Sequence, residues 1–484
     1  MNVYCLKHRE IQDCNFKQAR KEQTVKERFG LFSSFLILAG SFLIPATEAI
    51  STAGIRTIGL ACAFLVLLIT EALPLTISCW TILGIMPLIG VSPGFGAALS
   101  GFSNPVLFFI LASFGISATF TSLPLSKRIL IILLKKFGRS MKCTLFALML
   151  CILSITSFVS SVPTAALFMA IVLSFLELFD NEDDRKATGK AFMIAIPITC
   201  LFGGIATPVG STMNLLALEL LEEYTGLTIS FVQWMSIGIP IALLILPVAW
   251  LLIYHIYKPA EINFDLVQSF IKKLDIPPKL CVKEKKALAI TSSMLVLWIL
   301  SSWVNQINIM IVSLLGTCIM FFPRIGVLEW KSFIKNVNLD SFFLVGTVIS
   351  ISTAMGSNGV SDWISSLLPS GYMPLPMLIA FTITLVLALL VIMPVAPSVV
   401  MFLAVPLITL ADSTGYSPAL IMMTLAMASG NCFLLPLDTI PLITYSSGYY
   451  SIRDMPKSTI PLLGYIIVVM TLVLWFASSV IGVI

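Results

Sequence analysis

The sequence predicts an all-α polytopic membrane protein of about 11 transmembrane helices arranged as two repeats. Of its 484 residues, 58% are hydrophobic and only 11% are charged, a balance typical of chains whose helices cross a bilayer. Two long charge-free stretches are each broken midway by a proline-centred sequence, at 160–165 and at 394–399. Similar segments follow each break in similar order, which predicts that one half of the chain repeats the other.

The arms around the first break are too short for ordinary membrane spans. They cover 143–159 and 165–179, and at about 1.5 Å per residue they reach only roughly 22–26 Å, against a hydrocarbon core of roughly 30 Å. We therefore predict a re-entrant hairpin over about 143–179 and a second over about 377–411. Broken backbone at membrane depth is tolerated where it is buried in protein or lines a wet cavity, so the two tips indicate a solute site.

The distribution of Lys and Arg predicts the membrane orientation. Residues 1–29 are basic and are predicted to be cytoplasmic, and a basic cytoplasmic linker at 257–287 separates a first helix and first repeat (30–256) from a second repeat (288–484). Basic residues flank the first hairpin but not the second, so the repeats are predicted to be inverted in a multi-pass plasma-membrane protein whose C-terminus lies outside. The spans predicted besides the hairpins are 30–47, 57–70, 77–93, 104–122, 191–221, 231–256, 288–304, 308–323, 339–357, 417–450 and 459–483.

A helix interrupted by turn-forming residues follows each hairpin. The first, at 191–221, contains a Gly-Gly-Ile-Ala-Thr-Pro-Val-Gly sequence from Gly203, and the second, at 417–450, contains Leu-Pro-Leu-Asp-Thr-Ile-Pro from Leu435. Inverted repeats with paired hairpins and broken helices are typical of secondary transporters with a site near the midplane. A passive channel is the alternative. An enzyme is disfavoured, because no HExxH, GxSxG or Asp-pair motif falls at membrane depth.

Four short segments resemble the divalent anion/sodium symporter family, which carries di- and tricarboxylates. They are Gly101-Phe102-Ser103-Asn104-Pro105, Thr70-Glu71-Ala72-Leu73-Pro74, the Gly-Gly-x-Ala-Thr-Pro-x-Gly sequence from Gly203, and Ser447-Gly448-Tyr449-Tyr450-Ser451-Ile452-Arg453-Asp454-Met455. The resemblance covers nearly all of the chain after residue 30. It implies a small organic anion as substrate and a homodimer in which a scaffold domain supports a mobile, elevator-like transport domain.

The signature of that family is a Ser-Asn-Thr triplet at each hairpin tip and a Thr-Pro-Pro-Asn-like loop in each broken helix. The triplets fall on Ser160-Ser161-Val162 and Pro394-Val395-Ala396, and neither keeps the asparagine. The loop positions fall on Ser211-Thr212-Met213-Asn214, which keeps its asparagine, and on Thr439-Ile440-Pro441-Leu442, which does not. The residues we expect to bind substrate are Ser160, Ser161, Thr164, Thr212, Asn214, Ser398 and Thr439.

Positive side chains are missing from the segments that should form the site. No Lys or Arg lies between Lys142 and Arg185, between Lys190 and Lys258, or between Lys335 and Arg453. A bound anion would then meet only helix N-termini and a bound cation. This favours coupling to Na⁺; coupling to H⁺ and exchange of another small anion are the alternatives.

Sodium is a hard cation suited to hydroxyl, carbonyl and carboxylate oxygens. We predict one set of ligands from Ser160, Ser161 and Thr164 together with the carbonyls around Ala206–Gly210. A second set is predicted from Ser398, Asp438 and Thr439.

Asp438 is a lone carboxylate in the second broken helix, where an ionised group is costly unless it is solvated or paired. Three interpretations stay open for it: a cation ligand or protonation site, a cap for freed backbone amides, or a contact to a polar or cationic part of the substrate.

Other partners are not expected. The ten cysteines are scattered without a CxxC pair and are interpreted as reduced packing residues, and the two histidines are too few for a metal site. No cofactor other than the coupling ion is predicted. The net charge of +5 comes from loop lysines and indicates no nucleic-acid partner; the lipid bilayer is the expected environment.

Overall fold

Helices form nearly all the regular structure of the described residues. The structure is a computed structural model that describes residues 27–480 except 71, 263, 278, 305, 368–372 and 393–395. One isolated β-bridge, between Thr47 and Ile50, is present among these residues. The predicted all-helical class is confirmed.

The helices, in chain order, are α1 (27–41), α2 (Thr52–Thr70), α3 (Leu75–Leu88), α4 (Phe95–Ala98), α5 (Pro105–Ser122), α6 (Leu125–Phe137), α7 (Met141–Thr156), α8 (Ser161–Leu176), α9 (Glu182–Gly204), α10 (Thr212–Thr225), α11 (Phe231–Tyr257), α12 (Phe264–Lys273), α13 (Val282–Leu300), α14 (Ile309–Ile319), α15 (Trp330–Asn336), α16 (Leu339–Ser357), α17 (Val360–Leu367), α18 (Leu375–Ile392), α19 (Ala396–Thr414), α20 (Pro418–Ser429), α21 (Thr439–Tyr445) and α22 (Met455–Val480). Two 3-10 helices lie at Ser100–Ser103 and Pro208–Gly210.

The described helices divide into two units, and each unit takes helices from both halves of the sequence. Unit one comprises the described residues up to Ser103 together with Leu339–Leu367. Unit two comprises Asn104–Asn338 and the described residues after Leu367. The sequence boundary predicted at 257–287 lies within unit two, where α12 and the start of α13 occupy it.

In unit one, the segment before α5 makes a close crossing with α16. A Cβ atom on Gly101 would lie 2.2 Å from the carbonyl oxygen of Gly346 and 2.7 Å from the amide nitrogen of Ser350. The Gly101 N–H donates to Ser350 Oγ at 3.0 Å, and the Phe102 ring packs beside Phe342. Only glycine fits this crossing, which gives the Gly-Phe pair of that segment a structural role.

Unit two contains one packing arrangement twice. Helices α7 and α8 both pack on α9 and touch each other far less, and α18 and α19 pack in the same way on α20. Helix α10 packs on α19 and α20, while α21 packs on α8 and α9. The second half of each broken helix thus packs on the hairpin and broken helix of the other repeat.

The first hairpin turns earlier than the sequence suggested. Helix α7 ends at Thr156 and α8 begins at Ser161, so Pro163 lies in the first turn of α8 and not in the tip. A proline is tolerated there because the first amides of a helix have no intrahelical partner. Both arms have 16 residues, about 24 Å, which is short of a full span. The second tip, at Pro394 and Val395, lies outside the described residues.

Seven of the described helices are long and apolar enough to cross a membrane: α2, α5, α9, α11, α16, α19 and α22. Several other apolar helices, including both arms of the first hairpin, are shorter. The predicted total of about 11 spans stays a prediction, as does the inverted orientation of the repeats.

Two amphipathic helices, α6 and α12, lie where the sequence analysis placed cytoplasmic loops. On α6, Arg128 Nε donates to Glu284 Oε1 at 2.5 Å and Nη2 donates to Oε2 at 3.0 Å. Arg128 also donates to the carbonyl oxygens of Pro277 and Lys279. Glu284 Oε2 in turn accepts from the amide of Cys281, the N-cap residue of α13. This buried ion pair fastens the linker to α6.

Removing the charge of Glu284 should destabilise the protein. The Arg128 hydrogen bonds hold the pKa of this carboxyl down at about 2, below its ordinary 4.5, so the ion pair stabilises the fold fully above pH 4.5 and is lost as the pH falls through 2. We expect Glu284→Gln to lower the thermal midpoint at pH 7 by about 5–10 °C, because the half-buried Arg128 loses the counter-ion that two of its hydrogen bonds reach. Glu182→Gln, which breaks an exposed pair with Lys186, is the matched control and should leave the midpoint unchanged. Equal midpoints for both variants would contradict this role.

A second buried carboxylate ties the segment before α22 to α9. Asp454 Oδ2 accepts from the amide and the hydroxyl of Ser451 and lies 3.1 Å from Lys190 Nζ, while Oδ1 lies 3.0 Å from Lys457 Nζ. Burial alone would raise the pKa of this carboxyl, but these partners together hold it well below its usual range. Tyr257 donates to the Asp454 carbonyl oxygen at 2.7 Å, so the end of α11 joins the same junction.

Candidate functional site

The first broken helix opens between α9 and α10. Helix α9 ends at Gly204, the 3-10 turn Pro208–Gly210 follows, and α10 starts at Thr212 with Ser211 as its cap. Because Pro208 has no N–H, the Gly204 carbonyl group lacks the amide partner that a continuous helix would supply, whereas Gly203 O still accepts from the Ala206 N–H at 3.2 Å. A carbonyl group without its helical partner can bind a side chain or a ligand.

Side chains from three helices bind the carbonyl groups of this break. The Ser161 hydroxyl donates to Cys200 O at 3.0 Å, and Trp234 Nε1 of α11 donates to Ile205 O at 3.0 Å. Asn214 Nδ2 donates to both Gly204 O and Thr207 O at 2.9 Å. The Thr207 hydroxyl donates to the carbonyl of Ser157 in the hairpin tip. Hydrogen bonds therefore connect the hairpin tip directly to the break.

Two pairs of oxygens come close to the backbone where the tip meets the break, and we call these four atoms the oxygen cluster: the carbonyl oxygens of Thr156 and Gly204, and Gly210 O with Ser161 Oγ. A Cβ atom on Gly210 would lie 2.5 Å from Gly204 O and 2.9 Å from Thr156 O. A Cβ atom on Gly204 would lie 3.1 Å from Gly210 O and 3.4 Å from Ser161 Oγ. The glycines let the backbone approach this closely. A group of carbonyl and hydroxyl oxygens is the ligand set that a hard cation prefers.

Asn214 adds an acceptor that has no donor among the residues the structure describes. Its side chain is completely buried, both of its donated bonds go to the break, and Oδ1 has no hydrogen-bond partner among the described residues. Leaving such an acceptor unpaired costs roughly 1–3 kcal/mol. A bound cation or a substrate donor would satisfy Oδ1, so the residues present fit a ligand at this break.

The residues predicted for the first cation site only partly come together. Ser161 and Gly210 lie in the oxygen cluster, whereas the Ala206 carbonyl faces α11, where it would lie 2.8 Å from a Cβ on Gly238. The Thr164 hydroxyl is used inside α8, donating to Ser160 O at 2.9 Å. Ser160 and Thr212 are half-buried at the N-termini of α8 and α10. The carbonyls of Thr156 and Gly204 take the positions expected from Ala206.

The second break places Asp438 at the start of α21. Asp438 is the half-buried N-cap residue, and its carboxylate interacts with the backbone amides of Thr439 and Ile440, although the geometry falls short of a regular capping hydrogen bond. The capping interpretation and the ligand interpretation therefore both stay open.

Ser398, the third residue predicted for the second cation site, lies on α19. Its side chain is completely buried, and its hydroxyl has no partner among the described residues. Its helix α19 packs mainly on α20 and α10, while α21, which carries Thr439, packs mainly on α9 and α8. Because the two helices pack mainly on different partners, the described contacts do not place Ser398 beside Asp438 and Thr439.

Sequence reasoning missed two polar residues of this region. Asn431, just after α20, is buried, and its Oδ1 has no partner among the described residues. Trp234 binds Ile205 O through its indole N–H. An asparagine inside the apolar run before Cys432 was the available signal for the first; nothing in a single sequence connects Trp234 with residue 205.

Removing the Ser161 hydroxyl should weaken cation binding. We expect Ser161→Ala to raise the half-saturating Na⁺ concentration for uptake about 5- to 10-fold, since one oxygen ligand and the bond to Cys200 O are lost. The matched control is Ser154→Ala on α7, whose exposed hydroxyl bonds only to Leu150 O among the described residues. Identical Na⁺ dependence in a well-folded Ser161→Ala protein would move the cation elsewhere.

A family model settles the class of the protein. The model described as "Sodium:sulfate symporter transmembrane region" matches residues 25–483. The chain belongs to the sodium:sulfate symporter family. It is therefore an integral membrane transporter and not an enzyme, and the resemblance to divalent anion/sodium symporters is confirmed.

Relatives of this chain are low in sequence identity, but their alignments cover more than half of it. It is 25% identical over 356 residues to a "Membrane protein" of Cupriavidus necator, covering 69% of this chain and 68% of the relative. It is 28% identical over 298 residues to the L-tartrate/succinate antiporter of Escherichia coli K12, covering 59% of this chain and 60% of the antiporter. The sodium-dependent dicarboxylate transporter SdcS of Staphylococcus saprophyticus is 23% identical over 493 residues, 95% and 93% of the two chains.

A solved structure shares the fold of this chain. Neisseria gonorrhoeae MtrF, described as illuminating a class of antimetabolite efflux pumps, superposes with a TM-score of 0.56 over 93% of this chain and 94% of MtrF. The identity is 11%, so the likeness concerns the fold alone.

Proposed function

We propose that this symporter-family protein carries a small organic dianion of the dicarboxylate class across the membrane together with Na⁺. The observation that carries the proposal is the oxygen cluster, which lies beside the unpaired Asn214 Oδ1 at the first break. Helices α8, α10, α19, α20 and α21 contain no Lys or Arg. A dianion at this site needs positive charge, and a bound cation would supply it.

The backbone can hold the anion once a cation is present. The N-termini of α8 and α10 lie at the tip and at the break, and each directs free amide groups and a partial positive charge outward from its first turn. The nearest basic side chain along α9 is Lys190, and 14 residues of helix, about 21 Å, separate it from Gly204. The order of binding that follows is cation first and anion second.

The named relatives support the same substrate class but differ in how transport is driven. The printed name of SdcS includes sodium-dependent dicarboxylate transport, and that relative aligns with nearly the whole chain. The tartrate/succinate antiporter aligns over a shorter stretch and exchanges its substrates. Exchange is therefore the second candidate, and coupling to H⁺ through Asp438 is the third.

The mode of movement is also a proposal. We infer an elevator-type cycle in a homodimer, because the chain resembles a family with that organisation. The repeated packing of hairpins on broken helices within unit two is consistent with a transport site carried as one body.

Uptake into proteoliposomes tests the function. Labelled succinate, malate, tartrate, citrate, 2-oxoglutarate and sulfate would each be offered with an inward Na⁺ gradient, with an inward H⁺ gradient, or with unlabelled counter-substrate inside. We expect concentrative uptake of four-carbon dicarboxylates only with the Na⁺ gradient. Accumulation driven by counter-substrate alone, with both cation gradients collapsed, would establish the exchanger instead.

A further inference from the structure

A hydrogen bond between Asn104 and Glu219 joins α5 to α10 outside the proposed transport site. We propose that this pair is a proton-sensitive latch: ionised Glu219 accepts from Asn104 and holds α10 against α5, proton uptake by Glu219 weakens the hold, and the latch must open during transport. The inference rests on the proposed function, because α10 also carries Thr212 and Asn214.

The side-chain amide of Asn104 is held in an orientation in which it offers Glu219 only a hydrogen-bond donor. It is the N-cap residue of α5, and its Oδ1 accepts from the Val106 N–H at 2.9 Å. The amide nitrogen Nδ2 then points to Glu219 Oε1 and donates to it. A fixed N–H donor binds an ionised carboxylate more strongly than a neutral carboxyl group, so the bond depends on the charge of Glu219.

The surroundings of Glu219 contain acidic groups and no cation. The side chain is half-buried, and the elements that pack on α10 are α5, α19, α20 and the 3-10 turn Pro208–Gly210. None of these elements contains Lys or Arg; their only charged residue is Asp412 on α19, and α10 itself carries Glu222 and Glu223. Acidic neighbours favour proton uptake by a carboxylate, whereas an ion pair would oppose it. Asn104 alone among the described contacts of Glu219 favours the ionised form.

The latch is mechanically connected to the site. Glu219 follows Asn214 by five residues on the same helix, about 7.5 Å along its axis. Asn214 binds the carbonyls of the break, so any displacement of the break that moves α10 must also strain or open the bond to α5.

A reversible cross-link tests whether the latch opens during transport. Asn104→Cys with Glu219→Cys, in a background without the ten native cysteines, should be bridged by a short bis-methanethiosulfonate reagent, because side chains that meet end to end hold their Cβ atoms further apart than a disulfide spans. We expect the cross-linked protein to lose at least about 90% of its uptake and to recover it on reduction. No cross-link, or full uptake by the cross-linked protein, would overturn the latch. Failure of the proposed function is recognised separately, because the wild-type protein would then accumulate none of the offered anions.

Exchanging the donor and the acceptor of this pair tests whether protonation of Glu219 controls the latch. Asn104→Asp keeps an N-cap oxygen for Val106 but sets a carboxylate against Glu219, so this variant at pH 7.5 should behave as the wild type does in acid. Adding Glu219→Gln places an amide donor opposite the introduced carboxylate and should restore the wild-type rate at pH 7.5. Glu219→Gln alone should flatten the pH profile of initial uptake, which in the wild type should change about threefold or more between pH 5.5 and 8.

The control for this exchange is Glu182→Gln, an exposed acid at the start of α9. It should keep the wild-type profile, and protonation of the substrate itself affects all variants equally. A wild-type pH profile in Glu219→Gln, or the same rate for Asn104→Asp with and without Glu219→Gln, would overturn the proton-sensitive latch.

Discussion

Replacing Gly210 by alanine is expected to reduce Na⁺-driven uptake by about 100-fold. The added Cβ would lie 2.5 Å from Gly204 O and 2.9 Å from Thr156 O, both backbone atoms that cannot rotate away. The tip and the break would have to separate, and the oxygen cluster would lose its geometry. The measurement is the initial rate of uptake per folded carrier in proteoliposomes.

Gly464→Ala is the matched control for this change. Gly464 lies in α22, also in unit two, and a Cβ there would meet no atom within 4 Å. We expect this variant to transport at the wild-type rate, and alanine in place of glycine should help the helix slightly. If Gly210→Ala transported as well as Gly464→Ala, the close approach at the break would have no part in binding.

Asp438→Asn is expected to raise the half-saturating Na⁺ concentration about 10- to 100-fold. The carboxylate lies beside the Thr439 and Ile440 amides without a regular capping hydrogen bond, so its oxygens keep lone pairs for a cation, and the amide that replaces it carries no charge. Uptake as a function of Na⁺ concentration at fixed substrate measures the effect. If the coupling ion is H⁺, the same variant should instead flatten the pH profile of uptake.

The control for Asp438 is Asp412→Asn, which removes an exposed carboxylate at the end of α19. It should leave the Na⁺ dependence unchanged. An Asp438→Asn protein with wild-type dependence on both Na⁺ and H⁺ would restrict this residue to a local structural role at the second break.

Much of the architecture could be predicted because proline, glycine and charge act locally. The interruptions near Gly203 and Leu435 were visible as turn-forming residues in apolar segments, and the structure ends α9 at Gly204 and starts α21 at Thr439. Pro163 misled the placement of the first tip, since the same residue that breaks a helix interior is accepted in a first turn. The position of Pro163 within α8 could not be predicted without knowing where the preceding turn lies.

The side-chain partners found in the structure, inside and outside the site, could not be predicted, because they are brought together by packing. Arg128 and Glu284 are 156 residues apart, and Asn104 and Glu219 are 115 apart. The indole of Trp234 meets the Ile205 carbonyl only because α11 packs on the break. Sequence chemistry indicated hydroxyls and carbonyls as ligands; which carbonyls converge depends on backbone geometry, and the cluster uses Thr156 and Gly204 where Ala206 was expected.

Simultaneous influx of radiolabelled sodium and radiolabelled succinate into the same proteoliposomes tests the central claim most directly. Cation and anion should enter together, each should stop when the other is withheld, and Gly210→Ala should abolish both fluxes. Succinate influx accompanied by efflux of internal succinate, with no sodium influx, would contradict a sodium symporter and identify an exchanger.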